Sequence, residues 1–259
     1  MSDSTITQHQ TAIVLLHGMF GSPENWRACV EELSGDFRVL APRLPLFDAP
    51  MEADPIGALL DFVRAQLDKH GITRAIVAGN SLGGHVAARL ALCEPERVSA
   101  LVLTGSSGLF ERVLGVKVQR RPTREWLRSK AAEVFFDPRH VTEEMMDEIE
   151  AVVRSPRAAL RLLQLARAAK RDCLRPLLPR ICCPAALVWG ADDQITPPSA
   201  AFEFHDLLPH SELCFLRQCG HAPMMERPEE FNRVMRRFAN RVAMERDAAA
   251  SRQWLEFKL

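Results

Sequence analysis

The 259-residue chain has no net charge and no long apolar run, and each absence excludes a class of function. Lysine plus arginine equal aspartate plus glutamate at 33 each, so no overall field would recruit nucleic acid or a membrane surface. No run approaches the roughly 18 apolar residues of a membrane span. The polar start, MSDSTITQHQ, lacks the apolar core of a signal peptide. We therefore expect a cytoplasmic protein without a membrane span. Its binding partner has to be identified from local sequence motifs, because the net charge does not indicate one.

The chain also lacks the cysteine pattern of a metal site. Its seven cysteines have no zinc-knuckle spacing, and no histidine and aspartate cluster has ligand spacing, so the sequence predicts no metal and no cofactor. Apolar contexts such as LALCEP and LCFL predict buried thiols. Cys182 and Cys183 admit a redox pair, although two cysteines before a strand more often serve packing.

Strand-like and helix-like segments alternate along most of the chain. The strand-like runs are short, apolar and β-branched, which is typical of strands buried on both faces: TAIVLLHG, FRVLAP, RAIVAGN, SALVLTG, AALVWG and ELCFL. Segments with helical period separate most of them. The alternation predicts an α/β fold with a mostly parallel sheet of about six strands flanked by helices, and a ligand site at the carboxyl ends of the strands.

One interval, residues 111–180, contains no strand-like run and is helical in pattern throughout. It predicts a helical lid inserted into a core formed by residues 1–110 and 181–259. The interval carries 16 Lys or Arg against 10 Asp or Glu, so the lid is basic and the core acidic. Solvated helix faces explain this asymmetry, and so does an electropositive entrance for anionic substrates, with Arg120, Arg121 and Arg124 as candidates.

The stretch GNSLGGH, residues 79–85, places a serine where a buried strand stops and a helix starts. A tight strand-to-helix turn exposes a serine hydroxyl as a nucleophile, and Gly79 and Gly83 relieve crowding in that turn. The helix that follows directs N–H groups toward developing negative charge. Ser81 is therefore the candidate nucleophile.

The candidate base is His221, one of eight histidines. It follows the last predicted strand and so lies at the same sheet edge as Ser81. His17 follows the first strand, and we expect it to hydrogen-bond backbone there rather than to transfer protons. A carboxylate that orients the base is expected in VWGADDQITPP, where either Asp192 or Asp193 can face the imidazole.

Two backbone N–H groups are expected to bind an oxyanion. One belongs to Leu82, directly after the nucleophile, and the other to Met19 in the HGMFGS loop. Gly18 is expected to make the sharp turn that aims the Met19 N–H inward. Phe20, the next residue, is a candidate substrate-binding side chain.

The chain resembles the α/β-hydrolase superfamily in four segments, which occur in the order HGMFGS, GNSLGG, WGADDQITP and GHAPMMERPEEF. The resemblance extends from Thr11 to about Val242. The resemblance implies a lid-bearing serine hydrolase with Asp193 as the acid, because the acid is the fourth residue after the motif's tryptophan. It also implies that the amino-terminal antiparallel strands are absent here. Asn80 before the nucleophile resembles carbon–carbon bond hydrolases, although those usually carry tryptophan where Ala222 stands.

These features predict a hydrolase that cleaves a small-molecule acyl bond, a carboxylic ester first, through Ser81, His221 and Asp193. The alternatives are a carbon–carbon hydrolase of a dioxo or enol acid, an acyltransferase, and a non-catalytic small-molecule binder. We expect a small-molecule substrate that is anionic if the basic lid selects it, and a monomer or a homodimer.

Overall fold

The computed structural model describes residues 11–47, 52–109 and 122–256. Six strands alternate with helices, as the apolar runs predict: β1 Ala12–Leu16, β2 Arg38–Leu40, β3 Ala75–Asn80, β4 Val98–Thr104, β5 Ala185–Gly190 and β6 Ser211–Leu216. The helices are α1 Arg27–Leu33, α2 Pro55–Lys69, α3 Leu82–Cys93, α4 Arg124–Ala132, α5 Glu143–Arg154, α6 Pro156–Arg171, α7 Pro198–Leu207, α8 Pro223–Glu226 and α9 Pro228–Glu256.

The six strands form one sheet in the order β2-β1-β3-β4-β5-β6, and every neighbouring pair is parallel. Successive residues of a strand point to opposite faces. Val14 and Leu16 accordingly pack with α2 and α3, whereas Ile13 and Leu15 pack with α1 and α9. Because both faces are covered, each central strand is a continuous apolar run rather than an alternating one. The predicted fold class is confirmed.

The chain reverses its direction across the sheet between β1 and β3. β2 lies on one side of β1, and β3 lies on the other. The loop after β1 therefore runs toward β2, whereas the loop after the neighbouring strand β3 runs in the opposite direction, toward β4. Such a switch point opens a crevice at the carboxyl ends of the strands, where ligands bind in open α/β sheets. Ser81 and the HGMFGS loop lie at this point.

Helices α4, α5 and α6 lie between β4 and β5, and we call residues 122–180 the inserted segment. Its described residues contain no strand. Leu127 and Phe135 join the apolar layer beside α1 and α9, whereas Leu165 joins the layer beside α2 and α3. The inserted segment thus contacts both layers of the core. Residues 110–121, the first part of the predicted lid, lie outside the described ranges.

The inserted segment is less helical than its sequence pattern predicts. The pattern continues from α4 to Phe136, but the helix ends at Ala132. Asp137 precedes a proline and is extended, with φ −102° and ψ 111°, because a following proline ring disfavours the helical conformation. The residues between α4 and Pro138 are thereby free to contact the core.

The prediction that the cysteines are buried is wrong for most of them. Cys29 and Cys219 are buried, Cys183 and Cys214 are half-buried, and Cys93, Cys173 and Cys182 are exposed. Exposure follows from position, since Cys93 ends a helix and Cys182 lies in a loop before β5. No described helix is long and apolar enough to cross a membrane, and no group of three or more possible metal ligands occurs among the described residues.

Candidate active site

Ser81 occupies the turn between β3 and α3 in a conformation that few serines adopt. Its φ of 54° and ψ of −118° lie in the positive-φ region that is costly for any residue with a side chain. The turn is held by the sheet: the Ser81 N–H donates to the Thr104 carbonyl at 3.1 Å, and the Ser107 N–H donates to the Ser81 carbonyl at 3.2 Å. Backbone strain at this residue is the arrangement that the GNSLGG motif predicts.

The glycines around Ser81 are required by space. A Cβ at Gly79 would collide with the Gly83 carbonyl, and a Cβ at Gly83 would collide with the Leu16 carbonyl of β1. A side chain at either position would force α3 away from the sheet. The predicted reason for both glycines is thus confirmed.

His221 and Asp193 form a buried pair at the same sheet edge. The imidazole Nδ1 lies 2.9 Å from Asp193 Oδ2, and the two residues are 6% and 3% exposed. Thr196 Oγ1 donates to the same carboxylate oxygen at 2.9 Å, and the Ile195 and Thr196 N–H groups donate to Oδ1 at 2.8 and 2.9 Å. This arrangement fixes the Asp193 carboxylate and directs a proton on His221 Nδ1 toward it.

Of the two neighbouring aspartates, Asp193 is the one that is buried and faces the imidazole. Asp192 is exposed, and among the described residues its carboxylate accepts a single long bond, of 3.3 Å, from the Cys219 N–H. Trp189, which is fully buried, donates its indole N–H to the Thr196 carbonyl at 2.8 Å and so holds the loop that carries Asp193.

The His221 ring and the Ser81 turn share neighbours. A Cβ at Gly105 would lie 2.7 Å from His221 Nδ1, and Gly105 directly follows Thr104, whose carbonyl accepts the Ser81 N–H. The buried Asn80 amide donates to the Thr104 carbonyl at 3.1 Å and to the His221 carbonyl at 2.9 Å. The Ser81 hydroxyl has no hydrogen-bond partner among the described residues.

His17 spans the first two loops of the sheet edge, as expected of a structural histidine. Its Nε2 accepts the Leu44 N–H at 2.9 Å, so Nδ1 carries the proton that is donated to the Gly18 carbonyl at 2.9 Å. Burial lowers the pKa of the His17 imidazole, which favours this neutral form. The ring thereby fixes the loop that contains Met19.

The sharp turn of the HGMFGS loop was predicted at Gly18 but occurs at Phe20. Phe20 has a φ of 58°, whereas Gly18 is not among the residues with positive φ. Gly18 is needed for a different reason, because its Cβ would lie 3.0 Å from the Ser81 Cβ. Met19 stands between Gly18 and Phe20 in the sequence of this loop. The centroid of the Phe20 ring lies 5.8 Å from that of the Phe47 ring.

A second histidine and aspartate pair lies between α3 and the end of α6. His85 is fully buried, and its Nε2 is 3.1 Å from Asp172 Oδ2 at the end of α6. The hydrogen bond from His85 is the main cause that lowers the pKa of the Asp172 carboxyl. Arg89 adds an ion pair at 3.3 Å. These contacts join the inserted segment to α3.

The arginines of the inserted segment differ in their partners. Arg120 and Arg121 lie outside the described residues. Arg124 forms ion pairs of 2.6, 2.8 and 3.1 Å with Glu143, Asp147 and Glu150 of α5, so its charge is taken up within the inserted segment.

Arg161 on α6 is buried, and no ion pair to it occurs among the described residues. It is 1% exposed, and its guanidinium Nε and Nη2 have no hydrogen-bond partner in the part of the chain that the structure describes. Burial lowers the pKa of this guanidinium, while the negative charge of Glu52 acts in the opposite direction. Sequence reasoning missed Arg161, although it shares the spacing of the buried positions 158, 165 and 169 and was the one charge among them.

Comparisons with known proteins identify the family of this chain. The model of the alpha/beta hydrolase family matches residues 13–234. The chain is 34% identical over 239 residues to the dihydrolipoyllysine-residue acetyltransferase component of the acetoin cleaving system of Pseudomonas putida, covering 88% of this chain. This chain spans 63% of that relative's length.

A second relative is matched over most of its length. The 2-hydroxy-6-oxononadienedioate/2-hydroxy-6-oxononatrienedioate hydrolase of Burkholderia vietnamiensis is 31% identical, with 89% of this chain and 87% of that protein covered. Among solved structures, MGS-MChE2, an alpha/beta hydrolase enzyme from a sediment metagenome of the Mar Chica lagoon, Morocco, superimposes with a TM-score of 0.73. It is 32% identical, and the match covers 92% of both chains. The chain belongs to the alpha/beta hydrolase family.

Proposed function

We propose that the chain is a serine hydrolase that cleaves a small-molecule acyl bond through an acyl-enzyme on Ser81. The observation that carries the proposal is the buried His221–Asp193 pair at the same sheet edge as a serine in a strained strand-to-helix turn. A serine hydroxyl is a weak nucleophile until an adjacent base takes its proton, and these groups supply the base and its orientation.

In the proposed reaction the Ser81 oxygen attacks a substrate carbonyl while His221 Nε2 takes the serine proton. Asp193 holds the Nδ1 proton and stabilises the imidazolium. The oxyanion is bound by the N–H groups of Met19 and Leu82. Leu82 is the first residue of α3, so its N–H has no acceptor within the helix. His221 then protonates the leaving group, and water resolves the acyl-enzyme by the reverse route.

The test is covalent labelling. A fluorophosphonate probe should label the wild-type chain once, and Ser81→Ala should abolish both labelling and turnover of an ester while the protein stays folded. Ser34→Ala, at an exposed position after α1, is the matched control and should label like the wild type. An unlabelled wild type would favour the non-catalytic binder, and a labelled Ser81→Ala protein would place the nucleophile elsewhere.

A carboxylate-bearing substrate is a second proposal, and Arg161 is the observation that favours it. A buried guanidinium with free N–H groups costs free energy unless a ligand pairs with it. The Burkholderia vietnamiensis relative is named a hydrolase of a hydroxy-oxo dioate. A vinylogous dioxo acid cleaved at a carbon–carbon bond has both a carbonyl, which a serine attacks, and a carboxylate, which a guanidinium pairs with.

Matched substrates separate these two proposals. An ester and a dioxo acid, each with and without a terminal carboxylate, are compared on one preparation by kcat/KM. A preference for the carboxylate within each pair supports the anionic site. Products trapped with an added alcohol or thiol would instead identify acyl transfer, the activity for which the Pseudomonas putida relative is named.

A further inference from the structure

The loop that carries His221 lies at an open edge of the sheet. β6 pairs with β5 and is the last strand in the sheet order. The chain then turns through Gln218, which has a φ of 51°, before it reaches Gly220 and His221. The sheet therefore supports this loop on one side, and the other side needs a different partner.

The inserted segment provides that partner through the residues that leave α4. The His221 N–H donates to the Val134 carbonyl at 2.7 Å. A Cβ at Gly220 would lie 2.6 Å from the same carbonyl and 2.8 Å from the Phe136 nitrogen, so the two backbones are in direct contact. The position of His221 thus depends on the inserted segment as well as on the core.

Glu226 joins these two backbones with one carboxylate. Its Oε1 accepts the Gly220 N–H at 2.8 Å, and its Oε2 accepts the Phe136 N–H at 2.7 Å. Glu226 ends the single turn α8, whose N-cap residue, Ala222, directly follows His221, and this turn brings the carboxylate back toward Gly220. Burial raises the pKa of the Glu226 carboxyl, while the two backbone N–H groups act in the opposite direction.

We infer that Glu226 is a positioning residue, whose two hydrogen bonds clamp the His221 loop to residues 134–136 of the inserted segment. The inference rests on the proposed function, because it gives His221 the role of base. Each carboxylate oxygen has its own N–H donor, and neither a shorter acid nor an amide can satisfy both donors. Loss of the clamp displaces the imidazole while the pair with Asp193 and the apolar core persist.

The test combines kinetics with amide hydrogen exchange on the full chain. Glu226→Gln keeps the side-chain volume but presents an NH₂ group to one of the two N–H donors. We expect kcat to fall about 10- to 100-fold, the scale of a catalytic group misplaced by roughly 1 Å, with KM changed far less. Peptides containing Phe136 and Gly220 should exchange faster together, whereas peptides of β3 should not.

Two further variants, Glu229→Gln and Glu226→Asp, are measured in the same way. Glu229→Gln alters an exposed glutamate three residues away and should match the wild type in kcat and exchange. Glu226→Asp retains the charge but is too short to reach both donors, so it should resemble Glu226→Gln. Wild-type kcat in Glu226→Gln, or faster exchange of only one of the two peptides, would overturn the clamp. Faster exchange throughout the protein would indicate a merely structural role and would also overturn it.

Loss of the clamp and loss of the proposed function give different results. A wild-type chain that neither reacts with fluorophosphonate nor turns over any substrate contradicts the proposed function. An active wild type with an equally active Glu226→Gln variant contradicts only the positioning role.

Discussion

Replacement of Asp193 by asparagine tests the proposed base most directly, because the structure fixes how the new amide must sit. Asp193 Oδ1 accepts two backbone N–H groups, and Oδ2 accepts Thr196 Oγ1 and faces His221 Nδ1. The backbone donors cannot rotate, so the asparagine oxygen must take the Oδ1 position. The NH₂ group is then left facing His221.

That amide forces the imidazole into the wrong tautomer. An NH₂ group donates, so His221 Nδ1 must become the acceptor and the ring proton must move to Nε2. Nε2 then cannot take the Ser81 proton. We expect kcat to fall about 10⁴-fold, as for a triad whose carboxylate becomes an amide, and this corresponds to about 5 kcal/mol of transition-state stabilisation. The protein should stay folded, because the two backbone bonds to Oδ1 persist.

The assay is kcat for a chromogenic ester, with circular dichroism as the check on folding. Asp192→Asn is the matched control, since the neighbouring carboxylate is exposed and away from the imidazole, and it should stay within about threefold of the wild type. The reasoning is refuted if Asp193→Asn keeps kcat within tenfold of the wild type. It is equally refuted if the two variants lose activity to the same extent.

Three further predictions concern Arg161, Gly105 and His17. Arg161→Gln should raise KM for a carboxylate-bearing substrate by about 10- to 100-fold, because a hydrogen bond to a charged group is lost, and should leave KM for a neutral analogue unchanged. Arg157→Gln, at an exposed position of the same helix, should change neither KM. Gly105→Ala should cost roughly 1–3 kcal/mol in urea denaturation, because φ is 52° and the methyl group meets His221; Gly35→Ala, with nothing within 4 Å, should cost far less. Since burial lowers the folded-state pKa of His17, the unfolded chain binds the extra proton below about pH 6.5. The free energy of unfolding should therefore fall with acidification by at most about 1.4 kcal/mol per pH unit from this group, and His17→Gln should reduce that slope; an unchanged slope would contradict the neutral assignment.

The strands and the main motifs could be predicted because their causes are local. A strand buried on both faces must be apolar throughout, and a strained serine turn must exclude side chains at Gly79 and Gly83. The order of the motifs then places the candidate site at one sheet edge, because the carboxyl ends of parallel strands share that edge.

Other features depend on contacts between distant segments, which no local pattern encodes. The helical pattern after α4 continues to Phe136, but these residues instead contact Gly220 and His221. The choice between Asp192 and Asp193 needed family resemblance, since both stand in the same turn. Arg161 stands apart from the arginine cluster near α4, and the local signal for it is a single charge among the apolar buried positions of α6, where an unpaired charge is costly.

The candidate site is held together by side chains that are not themselves proposed to react. His17 joins the loops after β1 and β2, Asn80 joins the end of β4 to the His221 loop, and Trp189 closes the loop after β5. Each of them bonds to backbone, so each fixes where a loop runs rather than which chemistry it performs. The loop after β6 differs, because β6 is the last strand in the sheet and has no neighbouring loop on its outer side. Glu226 and the residues after α4 occupy that side. For this reason we place the link between the inserted segment and the proposed base there, rather than at the pair of His85 and Asp172 that joins α3 to α6.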